Sequence, residues 1–252
     1  MVGEDCHWSS HLDFGKYFAH CSIVIKKIAI ILYGPPGSGK GTQANLLAAK
    51  LGLIHFDTGK FCESVVHDPE RQKEKIIRRE RKLFDTGILM TPSFVLLEVS
   101  KAVRRIAKAD WGVVFSGSPR TMYEAEGLMP VLERLYGRKN IFVFALSVPE
   151  RVSIARNSTR ILCSVCKAPL LTAYYPSKKP KHCPICAGSF YRRTLDTPKT
   201  IRIRLGEYRE RTMPIFRFMQ KRGYRLRRIS GAEPPYKVFR RIYDHLKNAG
   251  RN

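Results

Sequence analysis

The segment Gly34-Pro35-Pro36-Gly37-Ser38-Gly39-Lys40-Gly41-Thr42, directly after the apolar run Ile28 to Tyr33, constrains this 252-residue chain more than any other feature. An apolar run bounded by Lys27 and a glycine cluster reads as a buried strand, and Gln43 to Leu51 reads as a helix. Strand, glycine-rich turn and helix start together make a phosphate-cradling loop of the kind nucleoside-triphosphate enzymes use. The glycines let backbone N–H groups converge on an anion, the helix dipole favours negative charge there, and Lys40 reaches the outer phosphates. The general pattern has Ser or Thr directly after the lysine to hold magnesium. Here Gly41 takes that slot and Thr42 follows, so a metal travelling with the nucleotide must rely on phosphates, waters and a separate carboxylate.

Further strand candidates are Leu53 to Phe56, Gly112 to Phe115, Ile141 to Leu146 and Tyr224 to Ile229. Between them lie stretches with helical spacing: Pro69 to Phe84, Pro92 to Ala107, Met122 to Tyr136, Pro149 to Asn157, Pro198 to Gln220 and Pro235 to Lys247. Alternating strands and helices predict an α/β fold with three layers, a parallel five-stranded sheet covered on both faces. Residues 1–26 show no clear period and read as an N-terminal extension or a misassigned start, leaving 27–252 as the core that carries the phosphate loop. The length suits one sizeable domain with small inserts.

Composition narrows compartment and partners. No apolar run approaches the roughly 18 residues of a membrane span, and the N-terminus lacks a secretory pattern, so a cytoplasmic protein with no membrane partner is expected. The formal charge of +25 is uneven: from Arg151 onward there are 25 Lys and Arg against 5 Asp and Glu, a net of +20. Such a field draws polyanions, which means nucleotides in a cleft and leaves open RNA or another nucleic acid on the basic C-terminal half. A solvated basic surface is the alternative.

Of seven cysteines, four form Cys163-x-x-Cys166 and Cys183-x-x-Cys186, sixteen residues apart. That spacing fits four thiolates around a tetrahedral structural Zn²⁺, with no open position for catalysis. His182 is a bystander in this reading, and Cys6, Cys21 and Cys62 are ordinary thiols.

The loop variant GxPGxGKGT and the knuckle pair set before the last long helices resemble the adenylate kinase family of nucleoside monophosphate kinases, in its long, zinc-lid type. The resemblance covers the chain from about Lys27 onward. It implies a helical NMP-binding insert over 58–90 and a zinc-binding lid over 158–196. It also implies Mg²⁺ with ATP, structural Zn²⁺ and a monomer. By resemblance, Gly37, Ser38, Gly39, Lys40, Gly41 and Thr42 hold ATP phosphates, and Arg156 and Arg160 reach ATP from the lid. Arg120 contacts the acceptor phosphate, while Arg193 and Arg204 neutralise the phosphoryl in flight, giving Lys40, Arg120, Arg193 and Arg204 the catalytic roles. Thr58, Gly59, Thr91 and Glu124 complete the acceptor site with Arg120, Arg193 and Arg204.

The chain also departs from the family pattern. Ser116-Gly117-Ser118-Pro119-Arg120 replaces aspartate-glycine-aromatic-proline-arginine, removing the aspartate that organises magnesium's water shell. Glu63 stands where the family has an arginine on the acceptor phosphate, with Lys60 as a candidate substitute. Glu124 replaces a glutamine that pairs with adenine, and an ionised carboxylate accepts only. The expected activity is transfer of the γ-phosphoryl of ATP to a nucleoside monophosphate, AMP by default. A guanine-preferring or relaxed kinase, and a weakly active homologue binding RNA or ribosomal particles, stand as alternatives.

Overall fold

A computed structural model describes residues 27–175, 180–194 and 196–249, so the expected extension, with Cys6 and Cys21, lies outside the described residues. Five parallel strands form the central sheet: β1 (Ala29–Tyr33), β2 (Ile54–Phe56), β3 (Val113–Phe115), β4 (Ile141–Ser147) and the outermost, Leu226–Ser230. Their order is β2-β3-β1-β4 followed by the 226–230 strand. The central strand β1 is apolar throughout because both its faces are covered. Ala29, Ile31 and Tyr33 point into one core, and Ile28, Ile30 and Leu32 into the other. Each fully buried Ile or Leu in these layers contributes about 1.5–3 kcal/mol.

Helix α1 (Lys40–Leu51) and the C-terminal helix Pro235–Ala249 cover one face, through Leu47, Ile242 and Leu246 among others. The other face carries α2 (Thr58–Val66), α3 (Lys75–Thr86), α4 (Pro92–Lys108) and α5 (Met122–Tyr136). Helix α3 starts later than expected. Pro69–Arg71 is a separate 3₁₀ turn, capped where Asp68 accepts from the Glu70 N–H at 3.0 Å.

After β4 come α6 (Glu150–Ser158) and a small antiparallel sheet, in which β5 (Ile161–Cys163) is flanked by β6 (Pro169–Leu170) and β7 (Phe190–Tyr191). These strands of two or three residues leave no periodic trace in sequence. The single helix expected over Pro198 to Gln220 is two: α7 (Pro198–Glu207) and α8 (Pro214–Lys221), joined by a π turn at Tyr208–Thr212. Pro214 has no N–H to continue the ladder and its ring crowds the carbonyl four residues back, so a wider turn takes up the strain. The chain then enters β8 (Leu226–Ser230) and α9 (Pro235–Ala249). Among the described residues no helix is long and apolar enough to cross a membrane.

Candidate active site

The carboxyl edge of a parallel sheet is where ligands bind in open α/β folds. Here a cleft of about 560 Å³ opens at that edge, lined by the glycine loop, the start of α2, the 116–120 turn, α6, the small sheet and α7. The loop's shape demands glycine: Gly37 has φ 72°, and a Cβ there would lie 2.5 Å from Asn157 Nδ2 and 2.9 Å from the Ser153 carbonyl. Ser153 Oγ also donates to the Pro36 carbonyl at 2.6 Å, so α6 holds the loop from behind.

Lys40 is the first residue of α1. Its Nζ donates to the Gly34 carbonyl at 2.6 Å and the Pro35 carbonyl at 2.8 Å, so the ammonium spans its own loop. Desolvation pushes its pKa down to about 7, Arg120 and Arg204 push the same way, and Asp57 opposes them. A triphosphate in the loop would favour the ammonium and move that pKa back toward the ordinary lysine range. Nucleotide binding at pH 8 is therefore expected to take up close to one proton, and binding at pH 6, where Lys40 is already charged, to take up far less. Calorimetry in two buffers of different ionisation enthalpy measures this; no uptake at pH 8 would contradict it.

Five arginines converge on the cleft with Lys40. Arg156 donates to the Gly231 carbonyl at 2.7 Å and the Ala232 carbonyl at 3.0 Å, tying α6 to the loop after β8. Arg160 makes a bidentate pair with Asp196, at 2.6 and 2.9 Å. Arg204, on α7, lies 3.6 Å from the same carboxylate, and desolvation plus repulsion from Arg120, Arg160 and Arg193 pushes its pKa down to about 10. Arg193 lies 3.5 Å from Glu63 of α2. Arg120, the fifth arginine of the cleft, donates to the Gly117 carbonyl at 2.6 Å. So many cations held in one partly dehydrated space repel one another, and an anion that enters relieves that repulsion. The sequence reading missed Asp196, the hub that fixes Arg160 and Arg204. Its signal was a lone acid three residues after Arg193 in a strongly basic stretch.

The acceptor-side residues divide. Gly59, Arg120, Arg193 and Arg204 line the cleft with Lys60, whereas Thr58, Thr91 and Glu124 are not among its lining residues. Thr58 is buried at the start of α2. Thr91 caps α4, where its N–H and Oγ1 both donate to Glu80, at 2.7 and 2.6 Å. Glu124 closes a capping box: it accepts from the Arg120 N–H at 2.9 Å and Thr121 Oγ1 at 3.0 Å, while Thr121 Oγ1 accepts the Glu124 N–H at 3.2 Å. Desolvation raises the Glu124 pKa. In this structure the oxygens of Glu124, the residue expected at a base edge, serve the turn that carries Arg120. Ser116 Oγ is 2.7 Å from His55 Nε2, and His55 Nδ1 is 2.5 Å from Asn45 Oδ1.

The four cysteines do assemble. All four Sγ atoms lie within 4.8 Å of one another, with Cys163 to Cys186 at 3.4 Å and Cys166 to Cys183 at 3.7 Å. A tetrahedron with Zn–S bonds of about 2.3 Å has edges of about 3.8 Å, so the donor set suits zinc in type, number and spacing. The Val165 and Ile185 N–H groups point at Cys163 Sγ and Cys183 Sγ, at 3.4 and 3.5 Å, which stabilises thiolates.

Comparison with known proteins agrees with this geometry. The family model described as adenylate kinase matches residues 32–224. An adenylate kinase of Caldicellulosiruptor saccharolyticus is 32% identical over 196 residues, covering 77% of this chain and 87% of the relative. Those of Syntrophomonas wolfei and Streptomyces avermitilis are 31% and 33% identical over 219 residues, covering 87% and 86% of this chain and 99% and 96% of the relatives. With the phosphate loop, the converging arginines and the four-cysteine insert all inside the matched region, the chain belongs to the adenylate kinase family and is a nucleoside monophosphate kinase.

Proposed function

We propose that this chain moves the γ-phosphoryl of ATP to AMP, with a zinc-held lid supplying part of the charge. The observation that carries this reading is the convergence of Lys40, Arg120, Arg156, Arg160, Arg193 and Arg204 on one cleft. Phosphoryl transfer needs little covalent help from a protein; it needs alignment and positive charge where negative charge spreads. In this reading Lys40 and the loop amides hold the ATP phosphates, with Arg156 and Arg160 on the donor side. Arg120 holds the acceptor phosphate, and Arg193 and Arg204 meet the phosphoryl group between them. The thiolate cluster binds one Zn²⁺ and keeps Arg160 and Arg193 in reach. The cytoplasm, where thiols stay reduced, suits such a site.

Magnesium accompanies ATP in this family and screens the triphosphate oxygens. Gly41 offers it no hydroxyl and Ser116 no carboxylate, so it is held less firmly here than in relatives that carry the aspartate. AMP is taken as the preferred acceptor because the matched relatives are adenylate kinases and Glu124, with both oxygens in its capping box, offers guanine no acceptor pair. Steady-state kinetics across AMP, GMP, CMP and UMP test the choice: the highest kcat/KM is expected with AMP, and a clear preference for GMP would overturn it.

Glu63 weakens acceptor use by occupying Arg193, which the acceptor phosphate must win away. The pair is partly exposed and stretched to 3.5 Å, so it is worth at most about 1 kcal/mol. Glu63→Gln is therefore expected to lower the KM for AMP by roughly two- to fivefold with kcat nearly unchanged. An unchanged KM would show that Glu63 does not compete.

A further inference from the structure

Removal of the aspartate at position 116 raises the question of which carboxylate serves the metal–triphosphate. Three acidic residues line the cleft: Asp57, Glu207 and Glu233. Glu207 is held by Arg211 at 3.1 Å and Glu233 by Arg241 at 2.8 Å. Asp57 has no ion-pair partner among the described residues; Oδ1 accepts the Lys60 N–H at 3.2 Å, capping α2.

Strand register places Asp57 beside Ser116. Strands β2 and β3 pair in parallel as Ile54 with Val113, His55 with Val114 and Phe56 with Phe115, and the Ser116 N–H donates to the Phe56 carbonyl at 3.1 Å. The next pair in that register is 57 with 116. Asp57 keeps an extended backbone (φ −83°, ψ 97°), so it still projects as a strand residue. Residues 55 and 57 then share one face, and in-register neighbours on parallel strands project to the same side, about 4.8 Å apart. The His55–Ser116 hydrogen bond places 55 and 116 on that common face. The Asp57 charge acts on both His55 and Lys40, as expected for a carboxylate at the mouth of the phosphate loop.

We propose that Asp57 supplies, from one strand over, the carboxylate that position 116 lacks, and orders the water shell of the metal bound to the triphosphate. Asp57 is thus a positioning residue that acts through water, and the acidic function has moved sideways by one strand. This rests on the phosphotransferase reading above.

The test is Mn²⁺ binding to the protein–AMP-PNP complex, followed by electron paramagnetic resonance, with AMP-PNP affinity in excess chelator measured separately. Asp57→Asn keeps a good helix cap and removes the charge. It should weaken Mn²⁺ binding by about tenfold, as loss of an outer-shell partner does, without weakening chelator-state nucleotide affinity, since a carboxylate beside an unscreened triphosphate only repels it. Adding Ser116→Asp to that variant should restore Mn²⁺ affinity, an outcome that a purely structural role for Asp57 would not produce. Mn²⁺ affinity within twofold of wild type in Asp57→Asn, or a loss that Ser116→Asp fails to repair, would overturn the proposal. If the wild-type protein bound no nucleotide with or without metal, the phosphotransferase reading would fall, and this proposal with it.

Discussion

Replacing Lys40 with alanine is expected to cut phosphoryl-transfer turnover by about two to four orders of magnitude, the range seen when preorganised charge is removed from such sites. The lysine is placed by the loop it serves, donating to Gly34 and Pro35 carbonyls at 2.6 and 2.8 Å. A group already aimed and partly desolvated does not need to be reorganised as charge develops on the transferring oxygens. The fold should survive, because the cores of the sheet lie behind the loop and do not include Lys40. Removal of a half-charged desolvated amine should even leave the nucleotide-free protein no less stable near neutral pH. Stopped-time product analysis with ATP and AMP, alongside thermal unfolding, checks both halves. Near-native turnover in Lys40→Ala would contradict the assigned role.

Removing zinc is expected to unfold the lid and leave the central sheet intact. The lid's own sheet has three strands of two or three residues, and among the described residues its buried apolar side chains are few: Leu162, Leu170 and the inner cysteines. So little apolar burial cannot offset the ordering of some forty residues, which leaves metal binding as the main source of stability. Structural zinc sites contribute about 10–16 kcal/mol of apparent binding free energy at pH 7. Purified protein should carry about one zinc per chain. Chelation, or Cys163→Ser or Cys186→Ser, should abolish hydrogen-exchange protection around the knuckles while β1 and β4 stay protected. Turnover should fall at least tenfold, because Arg160 and Arg193 flank the knuckles and lose their placement. Zinc-free protein with an unchanged exchange pattern would contradict this.

What could be read from the chain alone follows from how far apart the interacting residues lie. The phosphate loop and the knuckles are local: Gly37 and Lys40 line one cleft, and the four cysteine Sγ atoms lie within 4.8 Å of one another. The split at Pro214 was legible in principle, since a proline inside a helical stretch removes a donor and clashes with the preceding turn. Thr121-x-x-Glu124 is likewise a local capping pattern, legible from the three-residue spacing of a threonine and a glutamate. Asp57 had no such local signal, and Asp196 had only the faint one of a lone acid in a basic stretch. Each matters through a partner far along the chain: Asp57 through the register of β2 against β3, and Asp196 through Arg160, 36 residues earlier. The Glu63–Arg193 pair is of the same kind, joining α2 to the end of the small sheet across 130 positions that carry no periodic signal linking them.

The most direct test of phosphoryl transfer in this cleft is phosphorus NMR of zinc-loaded protein with ATP, AMP and Mg²⁺. The ATP and AMP signals should fall together, two ADP should appear for each ATP consumed, and the reaction should stop at a mixture of all three. Failure to form any nucleoside diphosphate, with AMP or with GMP, CMP or UMP in its place, would contradict the assignment.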